Sequence, residues 1–307
     1  MKHDNNPPQI IDSISRQHEL LGLPAPEHPL ISLINFKDLI AQTTDVSVNF
    51  STGFYTITIK KDCKCKMEKY GQNYADFDQG VMSFLTPGQL LSWGPEDVFP
   101  TAGWLLVIHP DLIRNYALAQ KIKSYSFFNY SLNEALHLSK KEETMVETIM
   151  KNVKREYQSN IDSYSQDVMV SHIELLLNYA NRFYNRQFIT RKNVNHDFLM
   201  KIETLLSVYI NGGQIKEQGL PTVRYLSEQL HMSPNYLGDL LKKITGKSTQ
   251  QHIHHILIEK AKDILASSNL SVSEIAYQLG FEYPQSFSKL FKQKTSLSPL
   301  GYRNSVN

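Results

Sequence analysis

Between Val46 and about Ile108 apolar and polar residues alternate, as in VSVNF, GFYTITIK, VMSFLTPGQ and WLLVIHP, with glycine and proline between the runs. A period of two sends one set of side chains inward and the other outward, so each run predicts a half-buried strand. Several short strands at this spacing predict a small barrel or sandwich. After Leu132 the period becomes helical. Met145, Ile149 and Val153 share one face of residues 141–157, and residues 168–183 are rich in apolar side chains, with Ile173, Leu175, Leu176, Leu177 and Ala180. That second helix is apolar around more of its circumference than one domain face needs, which predicts a dimer contact in addition to a core.

The last third reads as a series of helices with chemically marked ends. HDFLMKIETLLSVYI has helical period and stops at Asn211, Gly212 and Gly213, and a loop is predicted from there to Pro221. Thr222 caps a helix through Leu230, His231 and Met232 form a turn, and Ser233 with Pro234 supplies an N-cap followed by proline at the first helical position. In the helix to about Thr245, Leu237, Leu240, Leu241 and Ile244 fall inward, and Asn235, Tyr236, Gly238, Asp239, Lys242 and Lys243 outward. Gly246 ends it. A helix over about Thr249 to Ser267 follows, with the stripe Ile253, Leu257, Ala261, Ile264 and Leu265. Ser271 and Glu274 have the spacing of a capping box, Gly280 suits a turn with positive φ, and Pro284 opens another helix. There Phe287, Leu290 and Phe291 face inward, and Gln285, Ser286, Ser288, Lys289 and Lys292 outward.

These helices repeat one pattern. VRYLSEQLHMSPNYLGDLLKK and SEIAYQLGFEYPQSFSKLFKQ align so that Leu226 meets Ile275, Ser227 meets Ala276, Leu230 meets Leu279 and Met232 meets Phe281; after one inserted residue, Leu237, Leu241 and Lys242 meet Phe287, Phe291 and Lys292. Apolar positions coincide while the polar ones between them differ, as in two copies of a helix-turn-helix with different contact surfaces. Two such units on one chain place two helices in the major groove of one duplex, so the predicted partner is double-stranded DNA.

Charge agrees in sign with that partner. The chain of 307 residues carries 32 Lys and Arg against 30 Asp and Glu, but from Asn195 onward 12 basic residues stand against 9 acidic. A modest surplus in this part fits phosphate contact and excludes indiscriminate coating of nucleic acid. No run approaches the roughly 18 apolar residues of a membrane helix, and MKHDNNPPQI has no hydrophobic signal core, so the reading is cytoplasmic with no membrane partner. Cys63 and Cys65 alternate in KKDCKCKMEK. Such a pair supplies half a metal site or an oxidant sensor, and its plainer reading is two reduced thiols.

A β-barrel invites the alternative of an enzyme with an accessory DNA-binding domain, because small barrels hold catalytic metals through a His-x-His pair. In the β region His109 stands alone before Pro110, and His252 and His254 lie on a predicted helix, where residues two apart point about 200° from each other. No catalytic residue, metal or cofactor is therefore assigned. Tyr55, Tyr74, Trp93 and Trp104 are the aromatic candidates for lining a ligand pocket in the barrel.

The stretch SVSEIAYQLGFEYPQSFSKLFKQKTSLSPLGYR resembles the signature of the AraC/XylS family of bacterial transcription regulators, and the preceding copy fits that family's first helix-turn-helix. The turn Gly-Phe, the Phe-x-x-x-Phe-Lys helix and the closing Ser-Pro-x-x-Tyr-Arg occur in register. The strand pattern with TPGQ resembles the cupin-type effector domain common in that family. The resemblance implies a cytoplasmic activator or repressor, often a homodimer, with RNA polymerase and a small-molecule effector as further partners. It implies that Asn235, Gly238 and Asp239 in the first copy, and Gln285, Ser288 and Lys289 in the second, face bases, with Lys242 and Lys292 near phosphates. Asp239 stands where many relatives carry arginine, His231 replaces the usual turn glycine of the first copy, and Ser296 replaces a common glycine after the second recognition helix. Tyr302 and Arg303 are read as capping the last helix against the domain.

The resulting architecture is α+β: a β-rich, cupin-like effector domain over residues 1–130, a helical dimerisation segment over 131–190, and an all-α DNA-binding domain over 196–307. Its two helix-turn-helix motifs occupy about 222–245 and 271–294, joined by a linker helix.

Overall fold

The computed structural model describes residues 9–39, 48–61, 80–93, 100–160, 162–189 and 192–306. Cys63, Cys65 and Tyr74 lie outside the described residues. The chain forms two compact units, residues 1–187 and 188–307.

The first unit holds the strands β1 (Gln9–Ile11), β2 (Ile31–Asn35), β3 (Val48–Thr52), β4 (Tyr55–Lys61), β5 (Val81–Leu85), β6 (Leu90–Trp93), β7 (Ala102–Ile108) and β8 (Leu136–His137). Between and after them run the helices α1 (Ile14–Leu20), α2 (Pro110–Ile113), α3 (Leu118–Lys121), α4 (Lys140–Tyr157) and α5 (Ser165–Ile189), of which Phe188 and Ile189 already belong to the second unit. The strands form two sheets, β1-β3-β6 and β2-β7-β4-β5-β8. In the larger sheet every pair is antiparallel, and its rows are read across the register: Leu106, Ile57 and Phe84 stand opposite one another, as do Trp104, Ile59 and Met82. All six side chains are buried. Gly103 is required in β7 because its φ is +125° and a Cβ there would lie 1.9 Å from the Ile59 carbonyl oxygen.

Aromatic side chains seal this sheet against the helices. Phe84 meets Phe127 at 4.5 Å between ring centroids and Tyr184 of α5 at 6.2 Å, and Tyr184 donates to the Glu134 carbonyl. Arg186 of α5 donates to both carboxylate oxygens of Glu142, which itself closes the capping box of α4 with Ser139. Met145, placed inward by its period, is 38% exposed; Val146, Ile149, Met150 and Val153 are the buried residues of α4. Along α5 the surplus of apolar residues is real: Ile173, Leu176, Leu177 and Ala180 are buried, whereas Val168 and Leu175 are 40% and 43% exposed.

The second unit is all helical: α6 (Lys192–Asn211), α7 (Gln214–Gln218), α8 (Val223–Leu230), α9 (Pro234–Thr245), α10 (Thr249–Ser267), α11 (Val272–Gln278), α12 (Pro284–Thr295) and α13 (Pro299–Val306). The loop expected before Pro221 contains α7, whose Ile215 is buried. Two hydrophobic clusters form the core. In one, Ile202, Leu206 and Ile210 of α6 pack with Leu226, Leu237, Leu241, Ile253 and Leu257; in the other, Ile258, Ala261 and Leu265 pack with Ile275, Leu279, Phe287 and Phe291. Helix α10 thus contributes its first half to one cluster and its second half to the other. Among the described residues no helix is long and apolar enough to cross a membrane.

Candidate nucleic-acid interface

Local chemistry fixes both ends of the helices that carry the predicted contacts. The Thr222 side chain accepts from Tyr225 N–H to start α8, and Ser233 accepts from Tyr236 N–H to start α9, with Pro234 at the first position. Gly246 ends α9 at φ +74°. The second pair starts with the Ser271–Glu274 capping box on α11: the Glu274 carboxylate accepts from Ser271 N–H at 2.7 Å and Ser271 Oγ accepts from Glu274 N–H at 3.2 Å. These hydrogen bonds, made chiefly with Ser271, hold the exposed Glu274 carboxyl below its usual range. Helix α12 starts at Pro284 with Tyr283 in the cap position and no side-chain capping bond.

The turn between α11 and α12 depends on Gly280. Its φ is +78°, and a Cβ would lie 2.8 Å from Ile215 Cγ1 and 2.9 Å from the Gly219 carbonyl carbon. The corresponding turn residue of the first pair, His231, adopts φ +53°, and Ser296, which follows α12, adopts φ +64°. Among the described residues these are the two non-glycine positions in the left-handed region. They are the same two positions at which the sequence departs from a glycine.

On α12 the predicted outward residues Gln285, Ser286, Lys289 and Lys292 are exposed and Ser288 is half-buried, while Phe287 and Phe291 are fully buried beneath them. On α9 Asn235, Lys242 and Lys243 are exposed, and Gly238 and Asp239 are half-buried. Tyr236 corrects its outward placement. It is 7% exposed, with its ring edge-on to Phe188 at 5.2 Å. An aromatic four residues before Leu240 was the signal for an inward position, since residues i and i+4 share a helix face; the aligned Ser286 of the second copy, which is exposed, points the other way. Among the described residues, Lys242, Lys243, Lys289 and Lys292 stand in no ion pair, so their charge faces solvent. Tyr277 and Tyr283, 57% and 58% exposed, flank the second turn and were not singled out from the sequence.

The end of the pattern behaves as read. Arg303 Nε donates to the Leu265 carbonyl at 3.2 Å and its Nη2 to the Leu270 carbonyl at 2.6 Å, and the Tyr302 ring sits edge-on to Phe291. The histidines of α10 also diverge as their spacing predicts: His252 shares a hydrogen bond with Thr245 Oγ1, and His254 with Gln250 Nε2.

The pocket candidates of the first unit are placed differently from one another. Trp104 is 6% exposed, with the Lys154 ammonium 5.4 Å from its ring centroid. Tyr55 is half-buried, edge-on to Phe128 at 5.3 Å, and burial raises its phenol pKa. Trp93 is placed by its backbone on β6 opposite Val48. His109 accepts from Asp111 N–H and so serves as the N-cap of α2.

Residues 226–305, which include α9 to α12, match the family described as a helix-turn-helix domain. Over 85 residues, 28% of the chain, the sequence is 35% identical to the uncharacterized HTH-type transcriptional regulator YobQ of Bacillus subtilis, covering 35% of that protein. It is 36% identical over 85 residues to the raffinose operon transcriptional regulatory protein RafR of Pediococcus pentosaceus, covering 31% of it. The chain therefore spans about a third of the length of these two curated relatives. Among solved structures, the C-terminal domain of the two-component response regulator yesN from Fusobacterium nucleatum is 34% identical, with 33% of this chain matched to 95% of that one at a TM-score of 0.29. Residues 226–305 therefore carry a helix-turn-helix domain similar to those of HTH-type transcriptional regulators.

Proposed function

We propose that this protein is a sequence-specific regulator of transcription whose α8–α9 and α11–α12 pairs are two helix-turn-helix units that read successive major-groove segments of one duplex. The observation that carries this reading is the match of residues 226–305 to the helix-turn-helix family, with α9 and α12 each presenting polar, unpaired cationic faces above a closed apolar core. In this reading Asn235, Gly238 and Asp239 of α9, and Gln285, Ser286, Ser288 and Lys289 of α12, approach base edges. Lys242, Lys243 and Lys292 meet phosphates. Gln285 matches the donor and acceptor pair of adenine N7 and N6, and Lys289 donates to guanine O6 and N7. Tyr236 is left out because it is buried.

The first unit supplies dimerisation and the response to an effector. Support for the dimer comes from the exposed Val168 and Leu175, seven residues apart on α5 and so on one stripe of that helix. The cellular reading is a cytoplasmic homodimer that acts with RNA polymerase.

A gel-shift titration against a sequence selected from a random duplex library tests the site. Lys289→Ala is expected to weaken binding by about 1–3 kcal/mol and relax discrimination at one base pair. Unchanged affinity and selectivity would remove Lys289 from the interface.

A further inference from the structure

Along α10, Gln251, His255, Ile258, Glu259 and Lys262 fall on one stripe, and with Lys247 and Lys294 they line a groove of about 160 Å³. Towards the C-terminal end, the Glu259 carboxylate is engaged by Lys262 at 2.8 Å and faces His255 at 4.0 Å. Gln251 lies eight residues earlier, about 12 Å along the helix axis. Its Oε1 accepts from Ser248 N–H at 2.8 Å, so its amide NH2 remains a donor. Among the described residues Lys247 and Lys294 stand in no ion pair. Lys247 lies just beyond the Gly246 cap of α9, and Lys294 is in the last turn of α12. With three lysines against one carboxylate in its lining, the groove offers positive charge and donors.

We propose that this groove, through Lys247, Gln251 and Lys294, binds a small, free, phosphate-bearing anion. At about 160 Å³ the groove lies below the roughly 300 Å³ at which drug-sized pockets begin, which fits a small ligand. Position separates the site from the duplex. Lys294 follows Gln285 by nine residues and Lys289 by five, so it points about 180° from the first and about 140° from the second around α12. A local positive potential is felt by the neighbouring imidazoles. Burial first and then Lys247 and His255 lower the pKa of His252, against an opposing pull from Glu203; burial first and then Lys294 lower that of His254.

The test is calorimetric titration of the full chain with sodium pyrophosphate at fixed ionic strength. Saturable one-to-one binding is expected, reduced at least about tenfold in K247Q/K294Q by loss of two charge-assisted contacts and unchanged in K289A/K292A. Circular dichroism establishes that each variant is folded, and Lys294→Gln alone, expected to weaken binding, serves if the double variant is not. Absence of saturable binding would overturn the proposal, as would retained affinity in the groove variants or equal loss in K289A/K292A. Displacement of pyrophosphate from K289A/K292A protein by a duplex of unrelated sequence would also overturn it, assigning the groove to a phosphodiester backbone.

Discussion

His231 and Ser296 sit in the left-handed region without being glycine, and the conformation costs an L-residue roughly 1–2 kcal/mol. Glycine relieves that cost but loses roughly 0.5–1 kcal/mol in backbone entropy. His231→Gly and Ser296→Gly are each expected to raise stability, by up to about 1 kcal/mol, in thermal or denaturant unfolding; a fall in melting temperature would mean that these side chains hold contacts worth more than the strain. Gly280 has the opposite sign. Its φ and the 2.8 Å approach to Ile215 Cγ1 combine backbone strain with overpacking, so Gly280→Ala is expected to destabilise the helical unit by about 2–4 kcal/mol. A loss below about 0.5 kcal/mol in the same measurement would show that the α7–α11 contact relaxes freely.

Among the elements, α11 starts with a complete capping box. Its capping box holds the Glu274 carboxyl below the usual range, which means that the ionised form is favoured in the folded state. The associated stability is present above the unfolded-state carboxylate pKa and lost as pH falls through the folded one. The difference in unfolding temperature between the wild type and Glu274→Gln is therefore expected to shrink on acidification below the ordinary carboxylate range; a difference independent of pH would assign the contribution to geometry alone. Helix α5 makes a different prediction. Leu175→Glu, at an exposed position, is expected to convert a dimer to a monomer in sedimentation equilibrium without loss of helix content, and an unchanged mass would take that stripe out of the interface.

Such ends were legible in the sequence because the signals are local. Ser233 with Pro234, Gly246, Gly213 and the Ser271–Glu274 spacing each satisfy or free specific backbone groups within a few residues. Arg303, read as capping the last helix against the domain, donates to two carbonyls more than thirty positions earlier. Residues whose fate depends on a distant partner were harder to place. Tyr236 is buried with Phe188, almost fifty positions earlier in the chain, and Ile215 is buried in a cluster that reaches as far along the chain as Leu257. Trp104 alternates along β7, but its burial rests on neighbours such as Lys154, far away in sequence.

At the scale of the molecule, α10 is shared by two clusters that each support one helix pair, so the two exposed faces are joined through a packed rod. Rod-like coupling is what allows two reading helices to meet one duplex in register, since successive major-groove segments on one side of B-form DNA recur about every 10 base pairs. Interference footprinting on the tightest sequence selected from a random duplex library tests that arrangement most directly. Two patches of contact centred about one helical turn apart on one face of the duplex are predicted, the patch assigned to α12 weakening in Lys289→Ala and the other in Lys242→Ala. A single patch, or two patches that both respond to the same substitution, would contradict it.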